Sequence, residues 1–361
     1  MVIEVSITEV LDKALKKAYE SGLELGKQGS LILDESMVFH KLSRALEVYG
    51  VVYTSIRDAV ERYPDIVEKY MITGIDLDKV DNGVLLYVPR DTRIVDPVYT
   101  CYTIARKGVV QRVYNLIVLR ENAEAVAITG CMSLVPEGVH SSNTDTFLDR
   151  NARLYKVMIH NWLPGIRIGS LKKAYLMDNS FYHDYYINIT PPHNMGFKIE
   201  LYLKGRGSTA LSSTILVGRD NSRLSYETIA YLDGEESSVE LLSRMLGEDN
   251  SRIYSRSAII ARADYTRGHI ECQGLQLSSN SVLSTTPILE SHVENTRLTH
   301  EASIGRISEE ELEYLMSHGF REDEAVSIIV RGFLEHGLDR VPERIRLLIR
   351  QTLDRLVSSS M

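Results

Sequence analysis

Asn151-Ala152-Arg153-Leu154-Tyr155-Lys156-Val157-Met158-Ile159 reads as a tight corner followed by a strand. The same order returns at Asn221-Ser222-Arg223-Leu224-Ser225-Tyr226 and at Asn250-Ser251-Arg252-Ile253-Tyr254-Ser255. A turn-forming asparagine before a small residue also stands at Asn122-Ala123, Asn179-Ser180, Asn280-Ser281 and Asn295-Thr296. Successive markers are 29, 28, 42, 29, 30 and 15 residues apart, all near multiples of about 14 to 15. Gly207-Ser208 fills one empty slot, and Asn194-Met195-Gly196 falls near another. Asn and Gly tolerate the left-handed backbone of a tight corner, and the alternation that follows sends every second side chain inward. So short a unit cannot bury a core alone, but stacked units can. From about Gly74 the chain is therefore expected to form a parallel β-helix or a related β-solenoid. An antiparallel sandwich predicts Asn-Gly hairpins between strands, and only Asp81-Asn82-Gly83 supplies one.

On either side of the repeat the period lengthens to that of a helix. Before it, Val10, Leu11, Leu15 and Ala18 share a face, as do Met37, Val38, Leu42 and Ala45 between Glu35 and Tyr49. A third run spans Ser55 to Tyr70 with a break at Pro64, and Gly22, Gly26 and Gly29 punctuate the first two. After Ile304 the apolar residues recur at three and four. Ser308-Glu309-Glu310-Glu311 is a capping box, Gly319 ends that helix, and a second runs to about Gly337. A third, from Pro342 to about Val357, places Ile345, Leu348, Ile349 and Leu353 on one stripe. The expected division is an N-terminal helical region (1–75), a β-helix core (76–305) and a C-terminal helical docking region (306–361).

Bulk properties narrow the function. With 361 residues, 44% hydrophobic and 25% charged, the chain is an ordinary folded protein. A net charge of −8 argues against non-specific nucleic-acid binding. The three cysteines, Cys101, Cys131 and Cys272, form no disulfide framework. No leader pattern opens the chain and no apolar run is long enough for a membrane span, so a cytoplasmic protein with reduced thiols is expected.

Chemistry gathers where the period changes. Arg267-Gly268-His269-Ile270-Glu271-Cys272-Gln273 holds a lone cysteine, and Leu298-Thr299-His300-Glu301-Ala302-Ser303 holds a His-Glu pair. By composition alone Cys272 reads as a buried structural cysteine and His300-Glu301 as a solvated pair near a strand end. Cys272 and His300 are 28 residues apart, about two repeat units. With one unit per layer they would lie about 10 Å apart along the axis, too far for both to grip one metal ion, which leaves a multi-atom cluster or ligands completed from another subunit.

Several segments resemble, in order and spacing, the SufB/SufD family of the SUF iron–sulfur cluster assembly machinery. They are Val84 to Pro89, Ala127-Ile128-Thr129-Gly130-Cys131, Gly138 to Ser142, His160-Asn161-Trp162-Leu163-Pro164-Gly165, Leu298 to Ile307, and the helices through Phe333. The resemblance covers about residues 75 to 340. It implies a right-handed parallel β-helix and a non-enzymatic scaffold for a transient cluster, working with the ABC-type ATPase SufC as a homodimer or with a SufB/SufD paralogue. Carried over residue by residue, it implies cluster or metal ligation by Cys272, His300 and Glu301, and a sulfur relay through Cys131 and Lys172. It also implies SufC docking through Leu312, Tyr314, Leu315, Phe320, Ile328 and Phe333. The chain departs from the SufB pattern at Thr103, Ala105, His160 and Thr299, which leaves mixed SufB and SufD character open. A flavin in the assembled complex finds no support in these residues.

Bland readings stand beside these. Cys101 is expected to be packing, Trp162 a core plug, and His269 and His292 neighbours of the site. Two other functions compete. A carbohydrate-active β-helix enzyme needs a carboxylate pair or clustered Ca²⁺-binding aspartates, and none is evident. A structural SufC adaptor would keep the C-terminal helices without using Cys272.

Overall fold

Arg153, Phe181, Thr209, Ser238 and Arg267 are partners in register, so the stretch from one of them to the next is one turn of the chain. In the computed structural model, which describes residues 7–26, 28–72, 74–335 and 343–358, each turn lays one strand into each of two sheets. The longer sheet runs β2 (Ser36–Lys41), β1 (Gly29–Leu33), β5 (Val98–Ile104), β7 (Glu124–Ser133), β9 (Arg153–Asn161) and β11 (Phe181–Thr190). It continues through β13 (Thr209–Gly218), β15 (Ser238–Gly247), β17 (Thr266–Gln276) and β19 (Thr296–Gly305). The second runs β3 (Val52–Ser55), β4 (Val84–Val88), β6 (Val109–Leu119), β8 (Gly138–Leu148) and β10 (Ile166–Leu176). Its remaining strands are β12 (Asn194–Leu203), β14 (Arg223–Leu232), β16 (Arg252–Ala261) and β18 (Val282–Ser291). The result is a β-solenoid of about eight turns. The unit that repeats in the sequence is half a turn, so two units make one layer. The expected layer of a single unit, and the axial gap between Cys272 and His300 that followed from it, are corrected accordingly.

Corners form as their residue types require. Asn122, Asn151 and Asn179 take positive φ, as does Gly207. At two later corners the left-handed residue is Asp220 or Asp249, one position before the expected asparagine. The small residue of most corners, among them Ala123, Ala152, Ser180 and Ser251, is buried. Corners also bond to one another: Asn151 Nδ2 donates to Asn122 Oδ1 at 2.9 Å, and Asn122 Nδ2 to Asp91 Oδ1 at 2.7 Å.

The N-terminal region is not wholly helical. Residues 29–33 form β1, a short apolar run buried along its whole length and parallel to β5. The run read as a helix from Glu35 splits into β2, antiparallel to β1, and a short helix, Arg44–Val48. Met37 and Phe39 alternate with exposed neighbours, and the unpaired edge of β1 captures that period-two segment. Two helices, Ile56–Arg62 and Pro64–Tyr70, follow with the break at Pro64, and β3 pairs antiparallel with β4. Both sheets thus begin with an antiparallel strand.

Three layers of apolar side chains hold the molecule together. The first fills the space between the sheets. The second lies on the outer face of the longer sheet, where Ala14 and Ala18 of the first helix (Ile7–Glu20) meet Ile345, Ile349 and Leu353 of the last (Glu343–Ser358). The third packs the 56–70 helices onto the start of the second sheet. The helix Glu309–Ser317 is capped by Ser308, whose Oγ accepts from Glu311 N at 3.4 Å, and ends at Gly319 with φ +94°. Glu322–Glu335 follows; its expected end near Gly337 lies outside the described residues. No helix among the described residues is long and apolar enough to cross a membrane.

Candidate functional site

The far end of the solenoid is open. Among the described residues nothing pairs beyond β18 or β19, and most of β19 is exposed. Register sets Ile270 opposite His300 and Cys272 opposite Ala302. Ile270 and Cys272 both belong to the core between the sheets, so His300 shares their face of the longer sheet. Adjacent strands are about 4.8 Å apart and residues advance about 3.3 Å each, which puts the Cα atoms of Cys272 and His300 about 8 Å apart, one layer removed. Glu301, next along the strand, faces outward beside Glu271, whose carboxylate meets Arg244 Nη2 at 2.5 Å. The structure therefore brings Cys272 and His300 to one face and turns Glu301 to the other. Cys272 is fully buried, its Sγ 4.0 Å from Ser257 Oγ, whereas His300 is open to solvent. His269 Nδ1 lies 2.8 Å from Thr299 Oγ1 on the outer face, and His292 Nε2 lies 2.5 Å from Glu290 Oε1. Among the described residues, no three His, Cys, Asp or Glu side chains converge as a metal site.

A second group of polar residues lies between the sheets. Tyr102, Cys131 and His160 are stacked in register on successive layers, facing inward. His160 Nδ1 lies 2.9 Å from the Tyr186 hydroxyl, and both His160 and His140 pack against Trp162, with ring centroids 5.6 and 5.2 Å away. His140 Nδ1 in turn lies 2.8 Å from Gln111 Oε1. Burial drives His140 down to about 3 and His160 well below its usual value, so both are neutral. Burial also pushes the Cys131 thiol up, against the smaller pull of Lys172 and Lys156, so at rest it is a thiol and not a thiolate.

Lys172 lies inside the solenoid. Its Nζ contacts both carboxylate oxygens of Asp184 at 3.0 Å and sits 4.9 Å from the Phe197 ring centroid, while the Tyr182 hydroxyl donates to Asp184 Oδ1 at 2.9 Å. Burial opposes the charge on Asp184, but Lys172, Lys156 and these hydrogen bonds outweigh it and hold the carboxyl below its ordinary value. Lys156 is in register with Asp184 on the neighbouring strand and is 2% exposed, yet its Nζ has no hydrogen-bond partner among the described residues. Burial, then Lys172, pull its pKa down to about 7. The sequence reading missed Lys156, Asp184 and His140. Strand parity would have found them: Lys156 shares its face with Leu154 and Met158, and Asp184 with Tyr182 and Tyr186.

The C-terminal helices form a third feature, a cleft of about 650 Å³ lined by Arg306, Glu310, Tyr314, Leu315, Ile328 and Phe333, among others. Tyr314, Phe320 and Ile328 are exposed, while Leu312, Leu315 and Phe333 are half-buried. The guanidinium of Arg244 lies 5.7 Å from the Phe333 ring centroid. Five of the six residues expected to dock an ATPase are thus at or beside an apolar cleft or an exposed apolar surface, and Leu312 lies on the same helix as Tyr314.

Comparison with known proteins agrees with this architecture. Residues 102–333 match the family model described as SUF system FeS cluster assembly, SufBD core domain. An iron-sulfur cluster assembly SufBD family protein of Archaeoglobus fulgidus is 31% identical over 355 residues, 95% of each chain. A homologue from Methanothermobacter thermautotrophicus is 34% identical over 265 residues, covering 73% of this chain and 65% of that protein, just under two thirds of its length. The iron-sulfur cluster assembly protein SufB of Bacillus subtilis is 25% identical over 325 residues, 86% of this chain and 69% of the relative. The chain belongs to the SufBD family of iron–sulfur cluster assembly proteins.

Proposed function

We propose that this protein is a cytoplasmic scaffold subunit on which a nascent iron–sulfur cluster is assembled at a subunit interface. The observation that carries the reading is the asymmetry of the solenoid. One end is finished by short antiparallel strands, β2 of six residues and β3 of four, while among the described residues β18 and β19 leave two ten-residue edges unpaired beside Cys272 and His300. Long open edges invite pairing with another chain. A second copy or a SufB/SufD paralogue docked there would supply the ligands that one chain lacks. The cluster is cargo. Cys272 offers its sulfur once freed from the core, His300 an exposed imidazole, and Glu301 a carboxylate on the outward face for a partner-side contact.

Sulfur would arrive through the interior. Cys131 is the acceptor in this scheme. The Lys172–Asp184 pair lies farther along the same interior, and Lys172 would turn to an anionic sulfur species only on leaving Asp184. The cleft between the C-terminal helices suits a SufC-type ATPase, whose ATP-driven movement would pull on residues 306–335 and strain the adjoining last layer.

Anaerobic reconstitution with iron and sulfide tests this, comparing the wild type with Cys272→Ala and His300→Ala. Loss of the cluster chromophore in both variants is expected. Equal retention in all three would remove the site assignment, and ATPase binding that persists alongside would leave the adaptor reading in its place.

A further inference from the structure

Between the sheets, near the closed end, lies a buried cavity of about 20 Å³. A water needs roughly 10–15 Å³ of such space, so the cavity admits a single water-sized species. Its polar lining comes from Tyr53, Thr100, Asn115, Thr129 and Lys156, with Met158 among the apolar walls. Lys156 is the only one of these that can take a positive charge, and no carboxylate among the described residues lines the space. Tyr53 donates to the Tyr99 carbonyl at 2.7 Å and pairs with Thr100 Oγ1 at 2.9 Å, which leaves the Thr129 hydroxyl and the Asn115 amide as donors toward the space.

We infer that this cavity is a binding site for one small monovalent anion, of the size of chloride or hydrosulfide, held by the Lys156 ammonium. The site stands independently of the assembly role. An ammonium has three protons to donate and is strongly disfavoured when buried without partner or counter-charge. Among the described residues Lys156 Nζ has neither a hydrogen-bond partner nor an ion pair, although the residue is almost wholly buried.

The carboxylate in register with it does not relieve it. Both oxygens of Asp184 are held by Lys172, and one of them also accepts from Tyr182. The charged or titratable groups that act on Lys156 are Lys172, which repels its charge, and Asp184 and Cys131, which favour it. With Lys172 and Asp184 cancelling, a protonated Lys156 leaves one positive charge uncompensated. A water would accept a hydrogen bond but leave that charge in place. A monovalent anion answers both needs, with Thr129 and Asn115 as further donors in the lining.

The test is diffraction from crystals of the full chain equilibrated with sodium bromide before growth, with data collected at the bromine edge. An anomalous peak is expected in the cavity, within hydrogen-bond reach of Lys156 Nζ, and is expected to vanish in crystals of Lys156→Met. A cavity empty or filled by water alone in the wild type would overturn the inference, as would an unchanged peak in the variant. Wild-type crystals then exposed to sodium hydrosulfide separate the two sources. Displacement of bromide makes the site competent for sulfide, and a retained peak marks it as a halide site.

Discussion

Replacing Lys156 with methionine keeps most of the side-chain volume and deletes a buried amine, and it is expected to change how stability depends on pH. In the folded chain burial and Lys172 hold this amine near 7, whereas its ordinary value is 10.5. Between those values the unfolded chain binds a proton that the folded chain does not. Stability of the wild type therefore rises with pH through this window. At pH 7 the depressed amine costs about 4 kcal/mol, at about 1.4 kcal/mol per pKa unit with half-protonation taken into account. By pH 9 the cost falls to about 2 kcal/mol, so wild type gains about 2 kcal/mol relative to Lys156→Met over that interval. Urea unfolding at several pH values from 7 to 9 measures it, followed by the fluorescence of the single, buried Trp162. The buffer anions should be too large for the cavity. Working below pH 9 avoids the buried tyrosines, and the cysteines are common to both proteins and cancel in the difference. Parallel curves for the two proteins would refute the placement of an unpartnered lysine in the core.

Asp184→Asn leaves the buried Lys172 ammonium without its carboxylate; a loss of about 3–5 kcal/mol is expected by urea unfolding at pH 7, recovered in part when Lys172→Met is added. Gly83 has φ +155°, and a Cβ there would lie 1.7 Å from the Tyr114 carbonyl oxygen, so Gly83→Ala is expected to lower stability by about 1–3 kcal/mol or to detach β4, read by thermal unfolding and amide exchange. All three cysteines are buried, so Ellman's reagent is expected to find no reactive thiol in the native monomer and three after denaturation; rapid labelling of Cys272 in the native state would mean that the last layer opens readily. Tyr314→Asp combined with Phe320→Asp is expected to weaken binding of a SufC-type ATPase at least a hundredfold in a pull-down titration while leaving the circular dichroism unchanged, since both side chains are exposed.

The solenoid was legible because its corners demand particular residues. Asn122, Asn151, Asn179 and Gly207 take the left-handed backbone their types allow, and the 29, 28 and 28 residues between them are each one whole turn. The number of strands per layer was not legible. The spacing of the corner markers suits one whole layer or half of one, and only pairing such as Ser238 with Arg267 decides. The helix expected from Glu35 failed for a tertiary reason: the open edge of β1 outweighed the local spacing of Met37, Val38, Leu42 and Ala45. At the candidate site, the resemblance selected Cys272, His300 and Glu301, but alternation along β19 turns Glu301 away from the other two. Lys156 escaped notice because a lysine on an exposed-looking strand is usually solvated. Its parity with Leu154 and Met158, not its type, puts it inside.

The antiparallel strands at the start also set the order in which this molecule can be made. The ribosome delivers the sealed end first, and every later coil finds a finished template on which to settle. The sticky rim of β18 and β19 emerges only when everything beneath it is in place. At each stage the newest strand is the exposed edge until the next coil covers it, so among the described residues the edge that persists is that of β18 and β19.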